Sequence, residues 1–351
     1  MVDALDQPTG AAGGHAYAVG VEILPYELVA VLVDATGRQV DMRRWPIVDM
    51  EIKTVVGQIA DAALELVDTA LDVRLPDPRI CIGLQIGGPV ETDEGTVLAY
   101  ANHPTDSMYA GRDYHWREPV PLASLVAAAT GCPTVIENDG AAFATLEQRV
   151  GVGRETPSFA VVLIRDGVGG GIVLDGRLMS IPFEFGHIKV RPEGRWCVSG
   201  DRGCIDAYSG RRAVRAIAGE VTGADSDLES IEAAIVLCER QNAATPHVTA
   251  AFRQAGEAVG HGIATVLSLF GLSHMVVYGP PDMVDPATGR AAATAFATGV
   301  RNFPSLTYPL FRSAQVLIRP LSVDQGAHGA ALVAVDRLIN VHSDDMEGSR
   351  R

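Results

Sequence analysis

Lysine is almost missing from this chain: Lys53 and Lys189 are its two lysines, and the other strongly basic side chains are arginines. That preference reads as genomic codon bias, not as a binding signal. Basic residues are also outnumbered, 28 Lys and Arg against 43 Asp and Glu, for a formal net charge of −15. Such an excess argues against unaided binding to nucleic acid or to an anionic membrane. No apolar run reaches the roughly 18–20 residues that a membrane helix needs. Cysteine is scarce: Cys81, Cys132, Cys197, Cys204 and Cys238 are odd in number and unpaired in pattern. A reduced cytoplasmic setting fits that usage. The start of the chain lacks the basic and apolar regions of a signal peptide, so residues 1–15 read as a disordered tail, as do residues 340–351.

What remains is globular: 351 residues, 47% hydrophobic and 20% charged, enough for one large or two modest domains with real cores. Alternation predicts strands at Ala16–Glu22 and Glu27–Val33, with a third at Gln39–Arg43. Helical spacing of Val55, Ile59, Ala62, Leu66 and Ala70 predicts a helix over Glu51–Leu71. Arg79–Ile86 reads as a buried strand ending at Gly87-Gly88-Pro89. It is followed by a helix at Pro121–Ala129, a strand at Thr134–Glu137 and a helix at Asp139–Val150. A second set begins near Ser158, with a hairpin of Phe159–Ile164 and Gly171–Leu174 around a glycine turn. Helices follow from Ile205, including a long one over Val248–Leu269. Strands are expected at Met275–Tyr278 and Ala314–Ile318, and helices at Ala291–Val300 and Gly326–Ile339. This order suits an α/β architecture with mixed sheets. No tandem repeat is visible.

The chemistry concentrates in two pieces, Phe183-Glu184-Phe185-Gly186-His187 and the segment from Cys197 to Asp206. They bring together three carboxylates, an imidazole and two thiols, with glycines that permit sharp turns. Such a set can hold a metal and a polyhydroxylated ligand. Other pieces agree with it: Gly87-Gly88-Pro89-Val90, Gly95-Thr96-Val97-Leu98, Ala101-Asn102, Glu137-Asn138-Asp139 and Gly167-Val168-Gly169-Gly170-Gly171. Together they resemble the ROK family of repressors, open reading frames and kinases, from about Ala16 to Leu338. The Glu-x-Gly-His motif in tandem with the cysteine segment carries most of the specificity. The glycine loop alone would be a weak signal.

The resemblance implies an actin-like, hexokinase-like (ribonuclease H-like) two-lobed α/β fold with a ligand cleft between the lobes. Residues 16–138 would form the first lobe, with the closing helix 326–339 packed on it. Residues 139–325 would form the second lobe, with the cysteine motif. Sugar hydroxyls would be met by Asn102, Asn138, Asp139, Glu184, His187 and Asp206, since carboxylates and amides satisfy adjacent hydroxyls in pairs. In the family's kinases the aspartate at position 139 is the general base. Read from its place alone, Asp139 could equally be a helix N-cap, and Glu184 and Asp206 exposed loop charges. Asp206 stands where the family has glutamate, and Ala141 where it has asparagine. His187, Cys197 and Cys204 match the family's zinc ligands, but Ser199 replaces the third cysteine. Either zinc is held by three ligands and water, or the site holds none.

The phosphate-binding positions depart furthest. Family kinases have Asp-x-Gly-Gly-Thr at the first strand turn, where bare backbone N–H groups meet ATP. Here the turn reads Glu22-Ile23-Leu24-Pro25-Tyr26. Pro25 has no N–H, and Leu24 and Tyr26 are expected to fill the space that glycines leave open. In the second loop, with Gly167, Gly169 and Gly170, Arg165-Asp166 replaces a glycine and a threonine, and Asp166 would repel a polyphosphate. Gly279-Pro280-Pro281 replaces the glycine-rich adenosine loop. The pattern implies a sugar-binding protein of the regulator type, without ATP or magnesium, that takes a sugar or sugar phosphate and assembles as a homodimer or homotetramer. About fifteen residues precede the first strand, too few for the family's winged helix-turn-helix, so this chain alone is not expected to bind DNA. The competing readings are an ATP-dependent sugar kinase with an atypical nucleotide site, and an interaction scaffold.

Overall fold

The first sheet is built on a strand with no exposed face. In β1 (Ala16–Ile23), Val19, Val21 and Ile23 pack against Val55 and Ile59 of α1 (Ile52–Leu71), while Ala18 packs on the other side against Ala327 and Ala331 of α10 (Gln325–Ala334). A strand covered on both faces has no polar positions to alternate with, which explains its near-continuous apolar sequence. β2 (Glu27–Asp34) joins it antiparallel, and β3 (Gln39–Pro46) lies outermost with alternating exposure. On the other side, β4 (Arg79–Ile86) and β9 (Thr134–Asn138) run parallel to β1, giving the order β3-β2-β1-β4-β9. Two short ribbons, β5 (Val90–Glu91) with β6 (Thr96–Val97) and β7 (Tyr100–Ala101) with β8 (Tyr114–Trp116), lie between β4 and α2 (Leu122–Thr130). This computed structural model describes residues 16–71, 79–101, 114–179, 183–222, 230–240, 247–302 and 313–340. Asn102 and the proposed tails, apart from residue 340, lie outside them.

The second half repeats the wiring without repeating the sequence. β10 (Phe159–Ile164) is flanked by β11 (Val168–Leu174) and β12 (Arg177–Leu178) antiparallel, and by β13 (His274–Gly279) and β14 (Gln315–Pro320) parallel. Its order, β12-β11-β10-β13-β14, is the first sheet's order over again. α3 (Asp139–Val150) covers one face of this sheet. The other face takes α4 (Asp206–Ser209), α5 (Arg211–Thr222), α6 (Ile231–Arg240), α7 (His247–Phe270), α8 (Pro281–Val284) and α9 (Ala291–Arg301).

Where the halves meet, glycines let backbones touch. A Cβ at Gly140 of α3 would overlap the Gly170 carbonyl, and one at Gly171 would overlap the Gly140 carbonyl. A Cβ at Gly329 of α10 would overlap the carbonyl of Ala142. α3 therefore lies directly on β11, and α10 crosses α3. β11 starts at Val168, not at Gly171, because Gly169, Gly170 and Gly171 pair with β10 as strand residues. The closing helix is α-helical to Ala334 and continues as a π-helical turn over Val335–Asn340. Among the described residues, no helix is long and apolar enough to cross a membrane.

Candidate functional site

Asn138 and Asp139 divide two roles that the sequence left undecided. The Asn138 side chain accepts from Ala141 N at 2.7 Å and caps α3. Asp139 takes the first helical position, and its Oδ1 accepts from its neighbour Gly140 N at 2.8 Å. Its carboxylate is therefore not the cap. A Cβ at Gly87 would stand 3.8 Å from Asp139 Oδ2, and one at Gly169 3.4 Å from Oδ1. The carboxylate thus lies between a turn of the first sheet and a strand of the second. Burial raises its pKa, against the opposing pull of Arg165 and the Gly140 N–H.

Arg165 is the feature that sequence reading undervalued. It ends the β10 side of the second hairpin, where its backbone N donates to Gly167 O at 2.8 Å and its O accepts from Arg211 N at 2.8 Å. With the backbone held at both ends, the side chain crosses to the first sheet and Nη2 donates to Oε1 of Glu22. Glu22 is 1% exposed and lies under α10, where a Cβ at Gly326 would overlap its carboxyl group. Burial raises the Glu22 pKa although Arg165 opposes it. Burial would lower that of Arg165, but the facing carboxylates of Glu22 and Asp139 outweigh it and keep the guanidinium charged. The guanidinium also lies 5.5 Å from the Phe143 ring centroid. The signal in the sequence was a pair of departures: arginine for glycine in one turn, and glutamate for aspartate in the other.

The first turn brings one correction. Leu24 packs against the α10 side of the first sheet, and Leu24 N donates to Glu27 O at 3.0 Å. Tyr26 does not fill the space as expected; it is 68% exposed. Asp166 Oδ1 faces Arg211 Nη1 at 3.6 Å, and its carbonyl accepts from Arg212 Nε at 3.1 Å. Past β13, Gly279 is packed against Val284, and Pro280 precedes α8 at its N-cap position without a side-chain cap.

The cysteine loop forms a compact unit beside this cleft. Phe185 is buried in the second core and fixes the 3-10 turn that carries His187, while Glu184 projects with its side chain 63% exposed. Bridges of Lys189 with Cys204 and of Trp196 with Arg202 fold the loop back on itself. Gly203, with φ of 78°, makes the return that an L side chain would resist. Ligand atoms of His187, Cys197 and Cys204 lie within 4.8 Å of one another. Cys197 Sγ is 3.5 Å from His187 Nδ1, close to the about 3.6 Å that tetrahedral zinc bonds of about 2.3 and 2.1 Å would impose. Ser199 Oγ is 3.8 Å from Cys204 Sγ. The hydrogen bond to Cys197 raises the His187 pKa. Burial would raise that of Cys197, but its contacts with His187 and Ser199 prevail and lower it. Burial pushes Cys204 up to about 11.

Asp206 is drawn inward. Its Oδ1 accepts from Val168 N at 2.8 Å, and its Oδ2 lies 3.9 Å from Cys197 Sγ. It ties the β10–β11 hairpin to the cysteine loop, and burial raises its pKa against the charge of Arg212. The fold thus gathers Asn138, Asp139, Gly167, Gly169 and Gly170 at the junction of the sheets, with Asp206, His187, Cys197 and Cys204 reached through Val168. Asn102 lies outside the described residues, next to Ala101 of β7.

Comparison with known proteins bears on the family and the fold. A glucokinase of Streptomyces coelicolor is 27% identical over 278 residues, covering 74% of this chain and 81% of its own. A ROK family glucokinase from Streptomyces griseus, solved with glucose and AMPPNP, superposes with a TM-score of 0.64 at 26% identity, over 90% of this chain and 98% of the other. A ROK family transcriptional regulator, a homologue of the E. coli MLC protein, superposes with a TM-score of 0.70 at 20% identity, over 91% of this chain and 77% of the other. The fold is the actin-like α/β fold of the sugar kinases. With the family pattern matching residues 18–337, the chain belongs to the ROK family.

Proposed function

We propose that this chain is a sugar-binding ROK protein of the regulator type that has no kinase activity. One observation carries the reading: Arg165 and Glu22 pair across the cleft, between the two hairpin turns that a kinase of this family would leave open for a nucleotide. A fixed guanidinium beside Asp139 puts a positive charge where a kinase would bring a metal cation. Its pull opposes the rise in basicity that burial gives the Asp139 carboxylate. The proline and leucine of the first turn add to this by removing a backbone donor and by closing on the core.

The sugar contacts are better preserved. Asp139, Glu184 and His187 present a recessed carboxylate, an exposed carboxylate and an imidazole at one cleft. Asn138 keeps its amide hydrogens for a hydroxyl, because only its oxygen is committed to the cap. Asn102 would add a contact from the first lobe. Asp206 supports the hairpin beside the pocket more than it meets the sugar. His187, Cys197 and Cys204 hold a zinc ion whose fourth position is water; when bound, such an ion fixes the loop and the orientation of His187. The ligand, a sugar or sugar phosphate, shifts lobe closure or subunit packing, and the signal passes to a partner chain.

Calorimetry with hexoses, amino sugars and their phosphates tests the reading. Saturable binding of at least one is expected, weakened on Glu184→Ala; heats at the dilution level for all, with and without zinc, would refute it. Metal analysis of protein purified without chelator should find close to one zinc per chain. The second reading, an atypical kinase, draws support from the glucokinase relatives and from the Asp139 carboxylate being free of the cap. ADP release that depends on sugar and disappears in Asp139→Asn would establish that reading instead.

A further inference from the structure

We infer that Glu22 and Arg165 form a latch between the lobes, and that Gln85 is the partner to which Glu22 turns when the latch opens. Glu22 belongs to β1 and Arg165 to the hairpin after β10, so this hydrogen-bonded ion pair joins the centres of the two sheets. The two residues are 143 positions apart, and nothing local holds them together.

Gln85 supplies the second observation. It is 0% exposed, and among the described residues neither its Nε2 nor its Oε1 finds a hydrogen-bond partner. A buried amide left in that state is destabilising. Register places it beside Glu22 on the neighbouring parallel strand, and beside Glu137 on the other flank. Residues paired in this way point to the same face, and their strands lie about 4.8 Å apart. The face is the one under α10, since Gly20 and Gly83, each two residues earlier, both lie against that helix. Glu137 already has partners, with its Oε1 on Arg337 and its Oε2 accepting from Thr92 Oγ1 at 3.1 Å. Among the described residues, Glu22 has the Arg165 bond. Gln85 Nε2 is therefore the donor within the first sheet that can receive the Glu22 carboxylate once Arg165 withdraws.

Arg165 has a fallback of its own. It faces Asp139, whose helix α3 lies on β11 of the same sheet as β10. With the lobes closed, Arg165 joins Glu22 and leaves Gln85 unsatisfied. With the lobes apart, Glu22 pairs with Gln85 and Arg165 with Asp139. Each state satisfies the buried charges, so the hinge has two discrete positions instead of a continuum. The device holds whichever ligand enters the cleft.

A double-mutant cycle on the full chain, read by denaturant midpoint and by small-angle scattering, tests it. Arg165→Met should increase the radius of gyration. Gln85→Met should leave the midpoint unchanged or raise it in the otherwise native chain, but lower it in the Arg165→Met background, where Glu22 has come to depend on Gln85. Glu22→Gln should also increase the radius of gyration, and should remove the dependence on Gln85. An equal effect of Gln85→Met in both backgrounds, or an unchanged radius in both Arg165→Met and Glu22→Gln, would overturn the proposal.

Discussion

The two central hairpins, β1–β2 and β10–β11, occupy equivalent places in sheets of identical order, yet their turns have opposite chemistry. The first is apolar and capped by Leu24-Pro25-Tyr26, with one buried acid, Glu22, near its end. The second is charged at Arg165-Asp166 and then opens into glycines that accept the backbone of α3. The difference teaches that topology builds a cleft, while a few turn residues decide what bridges it. Here an acid from one hairpin and a base from the other satisfy each other, so the lobes are joined from within.

Backbone contact offers the severest way to break this equivalence. Gly20 meets α10 in the first half as Gly140 meets β11 in the second, and in each case a Cβ would overlap main-chain atoms. Gly20→Ala and Gly140→Ala should each cost about 3 kcal/mol in urea unfolding, at the upper end of overpacking. Gly57→Ala, at an open site in α1, should gain about 0.5–1 kcal/mol. Equal, small effects at all three would remove the packing account.

The ion pair comes next. Arg165→Met should lower stability by about 2 kcal/mol, below the range for fully buried pairs because the arginine side chain is 25% exposed. Glu22→Gln should cost less, about 1 kcal/mol, since it leaves no unpaired carboxylate in the first sheet and Arg165 keeps Asp139. Glu22 also sets a pH dependence. Burial holds its pKa above 4.5, so the folded chain keeps the proton longer than the unfolded one, and stability falls as pH rises from there through the raised value. The slope should diminish in Glu22→Gln; an unchanged slope would assign it to another group.

The cysteine loop permits the mildest test. After chelation, iodoacetamide at pH 8 should modify Cys197 before Cys204, since His187 and Ser199 favour the thiolate of one while burial holds the other near 11. Peptide mapping that found Cys204 modified first would contradict that electrostatic picture.

Much of the fold was legible because buried strands declare themselves. Phe159–Ile164 is apolar on both faces, Arg79–Ile86 is apolar but for Arg79 and Gln85, and both were placed with their observed limits. The cap of α3 was not legible, because Asn and Asp are equally good N-caps and lie side by side here. Gly169 and Gly170 looked like a turn because glycine is a poor strand former, although they pair with Leu163 and Val162 of β10. Distance in sequence concealed the pairing of Arg165 with Glu22. A sequence shows which residues depart from a pattern, but only the fold shows that two departures meet.

The central claim is that the cleft is closed to nucleotide by its own side chains. Titration of a magnesium-bound, nonhydrolysable ATP analogue into the sugar-saturated protein measures this directly. The account predicts no saturable heat for this chain; a defined stoichiometric isotherm that Asp139→Asn weakens would contradict it.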